Sequence, residues 1–188
     1  MKICLFGSGS NNIDEKYLKS GYNLGEMIAK NNHDLVFGGG KNGMMGQVAR
    51  GAHECGASVC AIIPDWMVEF EEVYDECDQI IYTKSMDERK RLFIENSDAF
   101  IVTAGGLGTL DELFEVVTLK KLRIHNKPII ILNEYNFYDK LIELLDNMVY
   151  EKTIPSDNRS MYKVACNIDE IFGYLDKYDF DNDDKYMI

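Results

Sequence analysis

The residues able to do chemistry in this chain gather in two short stretches and a set of glycine turns. The first stretch is TAGGLGTLDELFE, Thr103 to Glu115, where a glycine turn follows an apolar run and opens a helix. Helix starts leave backbone N–H groups free, and together with the helix dipole these hold anions. The spacing predicts Asp111 and Glu112 in the first turn of that helix, where a phosphate would also sit. The acids either complement the dipole, worth about 0.3–1 kcal/mol each, or one of them works on a ligand beside its phosphate. In the second stretch, MDERKRLF, Met86, Arg89 and Lys90 follow i, i+3, i+4 spacing and share one helical face. One apolar, one guanidinium and one ammonium group suit a phosphorylated ligand with a flat base. A surface helix with its Arg and Lys in water has the same spacing.

Three glycine turns accompany these stretches: GSGSNN from Gly7, GGGKNG from Gly38 and AGGLGT from Ala104. The first lacks the third glycine of the dinucleotide fingerprint. Glycines 38–40 also stand where that fingerprint places an acid about 20 residues on. The second is not a P-loop, because Lys41 is followed by Asn42 rather than Ser or Thr. Singly, each is a tight connection; together, at the ends of strands, they favour a mononucleotide or sugar-phosphate pocket.

Alternating elements must position these groups. Apolar runs predict strands over 2–8, 34–40, 58–64, 79–85, 98–106, 127–133 and 162–167. Helical spacing covers 14–31, 43–56, 86–97, 108–125, 137–150 and 169–178, with Ser85 as an N-cap and Gly21 and Gly25 weakening the first helix. Residues 65–78 carry mixed signals and read as a lid or a short helix. Strands of unbroken apolar sequence between helices describe an α/β fold. It is a single-domain, doubly wound, Rossmann-like parallel sheet with helices on both faces. The domain is expected over 1–178, with 179–188 an acidic, flexible tail. Ligands of such sheets bind beyond the carboxyl ends of the strands.

Composition narrows the partners. A net charge of −12 over 188 residues opposes binding to a nucleic-acid backbone but not to one small phosphate. No apolar run approaches the roughly 20 residues that span a bilayer, and MKICLFGSGS does not read as a signal peptide, so the cytoplasm is expected. Cys4, Cys55, Cys60, Cys77 and Cys166 form no CxxC pair and read as buried free thiols. His33, His53 and His125 lack metal spacing, so neither a metal nor another cofactor is expected.

The motifs FGSGS, VFGGGKNGMMGQVA, SMDERK and AGGLGTLDELFE resemble, in order and separation, the LOG ("lonely guy") family of cytokinin-activating phosphoribohydrolases. The resemblance runs from Met1 to about Tyr150 and more weakly beyond. The hallmark is PGGxGTxxE after a Met-x-x-Arg-Lys helix; here Ala104 replaces the proline, and FGSGS stands where relatives read CGSS. The resemblance implies hydrolysis of the N-glycosidic bond of AMP or N6-substituted AMP to free base and ribose 5-phosphate. Carried onto this chain, Arg89 and Glu112 act. Lys90, Gly105, Gly106, Gly108 and Thr109 surround phosphate and ribose, Met86 packs on the base, and Ser8, Gly39 and Gly43 line the rest. Asp111 is left to the helix dipole. A homodimer is implied, with the helix after GGLGT completing the partner's pocket.

Two other functions compete. Proteins of this wider fold include carriers that hold a nucleotide without hydrolysing it, and Ala104 gives that reading some footing. Decarboxylation of an amino acid would need a Schiff-base lysine for pyridoxal phosphate, and no lysine has a persuasive setting. Trp66 and Phe70 either shape the pocket or pack against the core.

Overall fold

A computed structural model describes residues 1–179. Seven parallel strands form one sheet in the order β4-β3-β2-β1-β5-β6-β7. They are β1 (Lys2–Phe6), β2 (Asp34–Phe37), β3 (Val59–Pro64), β4 (Gln79–Thr83), β5 (Ala99–Val102), β6 (Ile129–Leu132) and β7 (Lys163–Ala165). The helices are α1 (Glu15–Lys30), α2 (Gly43–Glu54), α3 (Met86–Glu95), α4 (Leu107–Lys121), α5 (Asp139–Tyr150) and α6 (Ile168–Leu175). The expected doubly wound, Rossmann-like architecture is the one observed. Strand order reverses between β1 and β5, which pair in register from Ile3↔Ala99 to Phe6↔Val102.

The pleat of β1 divides the core. Ile3 and Leu5 point into a cluster with Leu24, Ile28, Val48, Ile171 and Phe172 of α1, α2 and α6. Cys4 and Phe6 point the other way, to Phe93, Leu113, Val116 and Tyr138 on the side of α3, α4 and α5. Alternate side chains pack on opposite faces, so a strand buried on both must be apolar throughout.

Gly21 and Gly25 do not weaken α1 in place. A β carbon on Gly25 would sit 2.2 Å from the Val48 carbonyl oxygen, so glycine lets α1 and α2 approach backbone to backbone. Strands are shorter than the apolar runs, because their last residues turn into the ligand-facing loops. The segment after β3 is a 3-10 helix, Asp65–Glu69, then a strap bridged antiparallel from Val73 to Gly40. The Lys41 N–H donates to Glu72 O at 2.8 Å and the Tyr74 N–H to Gly39 O at 2.8 Å, tying the strap over the second glycine turn. The acidic stretch 179–188 lies outside the described residues apart from Asp179.

Candidate active site

The three glycine turns meet above β1, β2 and β5, where the strand order reverses. They border a cleft of about 420 Å³, a size suited to a small ligand. Of the residues singled out from sequence, Ser8, Met86, Arg89, Gly106, Gly108, Thr109 and Glu112 line it.

Arg89 is set by α3. Ser85 caps that helix, its Oγ accepting the Glu88 N–H at 3.2 Å, and four residues after the cap Arg89 turns beneath the sheet ends. It is 7% exposed. Its Nε donates to Ile62 O at 3.0 Å and its Nη2 to Gly38 O at 2.9 Å, while the guanidinium lies 5.2 Å from the Phe93 ring centroid. A β carbon on Gly38 would come within 2.4 Å of Nη2, so this close approach requires glycine. With those nitrogens tied back, Nη1 faces Glu112 Oε1 at 4.0 Å.

Glu112 stands on α4. Burial drives its pKa up to about 7, against the charge of Arg89, with the charges of Asp111 and Glu71 adding to the rise. The helix starts at Leu107 behind Gly106, with no side-chain cap and no acid in its first turn. Asp111 and Glu112 therefore fall in the second turn, which corrects the expected dipole role: that interaction fades within the first turn. Asp111 instead pairs with Lys90 at 3.4 Å. The uncapped N–H groups at Gly106–Thr109 suit an anion.

Four expected contact residues lie behind the cleft wall. The Lys90 amine turns to Asp111 and Glu115, at 3.4 and 3.3 Å, so the helical face shared with Arg89 splits. Gly105 leaves room for Thr109, whose Oγ1 would be 2.1 Å from an added β carbon. Gly43 has φ +65 and donates its N–H to Asn11 Oδ1; a β carbon there would meet Ser8 O at 2.5 Å. Gly39, at φ +89, accepts from the strap.

Ala104 does not leave the loop slack. Its carbonyl accepts the Ser8 N–H at 3.0 Å, and the preceding Thr103 carbonyl accepts the Tyr138 hydroxyl at 2.7 Å. Thr103 Oγ1 in turn donates to Phe6 O at 3.1 Å. Hydrogen bonds to three elements do what a fixed φ would do.

Sequence reasoning missed Glu71, Met45 and Met67, which also line the cleft. Met45 and Met67 carry no signal beyond apolarity. Glu71 lay in the segment with mixed signals, which acquires its path only by pairing with the glycine turn. Trp66 and Phe70 neither line the cleft nor pack in the core; they are 45% and 81% exposed. The cysteines are free, but Cys55 and Cys166 are exposed rather than buried. Among the described residues there is no cluster of three or more metal-ligating side chains, and no helix is long and apolar enough to cross a membrane.

Fold and site together define a Rossmann-like protein with a glycine-bordered cleft built around a buried Arg–Glu pair. The family model described as "Possible lysine decarboxylase" matches residues 45–175. The Arabidopsis thaliana cytokinin riboside 5′-monophosphate phosphoribohydrolase LOG2 is 34% identical over 183 residues, 97% of this chain and 86% of that one. The probable enzyme of the same description from Oryza sativa subsp. japonica, LOGL5, is 33% identical, covering 94% and 72% of the two chains. The chain belongs to this LOG family. A molybdenum cofactor binding protein of Rippkaea orientalis shares the fold with TM-score 0.70 at 23% identity, over 93% of this chain and 94% of that one. Among the described residues no lysine lines the cleft, so the decarboxylase description finds no Schiff-base residue among them there.

Proposed function

We propose that this chain hydrolyses the N-glycosidic bond of AMP, or of an N6-substituted AMP such as a cytokinin riboside 5′-monophosphate, to free base and ribose 5-phosphate. The observation that carries the reading is the Glu112 carboxylate facing the Arg89 guanidinium at 4.0 Å, beside the uncapped start of α4. Relatives named for this reaction, at 33–34% identity, support it.

Breaking a ribosyl–nitrogen bond builds positive charge on the sugar, as glycoside hydrolysis does. An ionised Glu112 stabilises that charge and takes a proton from the attacking water. With a pKa of about 7 it can return the proton to the leaving nitrogen, so atoms and charge balance over the cycle. Arg89 stays charged throughout and serves the departing base by hydrogen bonding from Nη1, not by proton donation. The phosphate, held by N–H groups at Gly106–Thr109 with the Thr109 hydroxyl, lies away from the bond and supplies positioning. Met86 offers an apolar wall to the base. Lys90, Gly105, Gly39 and Gly43 act from behind, by setting Asp111, Thr109 and the turns.

The reading includes a cytoplasmic homodimer. Leu107, Phe114, Leu122 and Ile124 are 87, 41, 63 and 64% exposed on and after α4, an apolar patch that supports pairing through this helix. A carrier without hydrolysis is the second reading, in keeping with the molybdenum cofactor binding protein that shares this fold. Chromatographic detection of base released from AMP and isopentenyl-AMP separates the two. Tight AMP binding with no release would establish the carrier.

A further inference from the structure

Three acids line the cleft, and the reaction above leaves one of them, Glu71, without a role. Asp111 is paired with Lys90, and Glu112 faces Arg89. Glu71 sits on the strap, and its Oε1 occupies space that two glycines from different turns leave open. A β carbon on Gly40 would approach that oxygen to 2.6 Å, and one on Gly9 to 3.1 Å. Its backbone N–H is tied to Met67 O at 3.0 Å, so the side chain projects from a fixed point. Among the described residues no hydrogen bond or ion pair reaches its carboxylate. Burial raises its pKa, opposed by the charge of Arg89. A half-buried carboxylate that has lost water without gaining a donor is costly to the free protein, and a ligand's donors would relieve that cost.

We propose that Glu71 is the specificity-determining residue for the sugar, its two oxygens accepting the 2′- and 3′-hydroxyls of a ribose. The acid on the strap repels a phosphate and the uncapped N–H groups at the start of α4 attract one, so the anionic end of the ligand lies at α4 and neutral donors at Glu71. A vicinal diol offers two donors to two acceptor oxygens, a bidentate match that one deoxy position breaks. This inference rests on the sugar-phosphate reading of the cleft, but not on hydrolysis.

The test uses the full chain, wild type and Glu71→Gln, with calorimetric titration of ribose 5-phosphate and 2-deoxyribose 5-phosphate. The wild type should bind the ribose compound at least about tenfold more tightly, because a site built for a hydroxyl rejects its absence. In Glu71→Gln that preference should shrink several-fold, ribose 5-phosphate losing both contacts and the deoxy compound only the 3′ contact it keeps. A melting curve that overlays that of the wild type shows that the variant is folded. The idea is overturned if the wild type shows no preference, or if the variant keeps it. It is also overturned if both affinities fall by the same factor, or if Glu71→Gln weakens AMP while leaving ribose 5-phosphate unchanged, which would move Glu71 to the base. Should no nucleotide release its base while the sugar preference depends on Glu71, the hydrolase reading fails and this one stands.

Discussion

The Arg89 guanidinium and the Glu112 carboxylate face each other at 4.0 Å, with side chains only 8% and 13% exposed. Attraction at that distance amounts to about 4 kcal/mol at an effective dielectric of 20, whereas taking a carboxylate out of water costs several kcal/mol. Desolvation wins, which is why Glu112 titrates at about 7 despite a buried cation beside it. Arg89 cannot close the gap, because Ile62 and Gly38 hold it from behind.

Glu112→Gln should abolish base release while leaving AMP affinity within a few-fold of wild type. Removing a positioned acid–base group costs about 10²–10⁴ in rate. Stopped-time chromatography gives the rate and calorimetry the affinity; turnover retained in this variant would remove Glu112 from the mechanism.

The pH profile carries a second expectation. If ionised Glu112 is the working form, kcat/KM rises with pH through about 7. Stability runs the other way. The folded pKa lies above the ordinary 4.5, so the contribution is whole below that value and is lost as pH rises through about 7. The swing is on the order of 3 kcal/mol, from 1.36 kcal/mol per unit. Melting curves at pH 5 and pH 8 should show it in wild type and not in Glu112→Gln.

Arg89→Met should destabilise by about 3–5 kcal/mol, as loss of one partner from a buried pair does. It strips a donor from both Ile62 O and Gly38 O and leaves Glu112 without its opposing charge. The pKa of Glu112 then climbs further, so any residual activity should need higher pH. Gly38→Ala should mimic the loss of activity, since its β carbon would fall 2.4 Å from Nη2. A Gly38→Ala variant as active as wild type would contradict the packing argument.

Ala104→Pro should change activity by less than about threefold and stability by no more than about 1 kcal/mol, the usual gain from stiffening a compatible turn. The loop is pinned through the Ala104 carbonyl and the Thr103 carbonyl, neither of which proline removes. Tyr138→Phe, which deletes the hydroxyl on Thr103 O, should cost about 1–3 kcal/mol. Denaturant melts of both variants decide between a loop held by hydrogen bonds and one that waits for a proline.

Periodicity made the sheet legible: strands buried on both faces must be apolar throughout, and β1, β5 and β6 read that way. The chemical residues were legible for a different reason. Arg89 and Glu112 sit in local motifs whose spacing is set by a single helix each. What resisted reading was whatever depends on two elements at once. Lys90 shares the spacing of Arg89, yet Asp111 and Glu115 on α4 draw it away. The start of α4 one residue early moved both acids out of the first turn. Trp66 and Phe70 looked like core or pocket residues, but the strap carries them to the surface.

By itself, the sequence determined the α/β class, the three glycine turns and the two helical motifs that carry Arg89 and Glu112, because each is a short-range pattern of 2.0 or 3.6 periodicity or of glycine at a strand end. Tertiary structure alone decided that Glu71 enters the cleft, that Ala104 is held by Ser8 and Tyr138, and that Glu112 titrates near neutrality. Burial, and the distance between groups far apart in the chain, are properties of packing, and no local spacing encodes them.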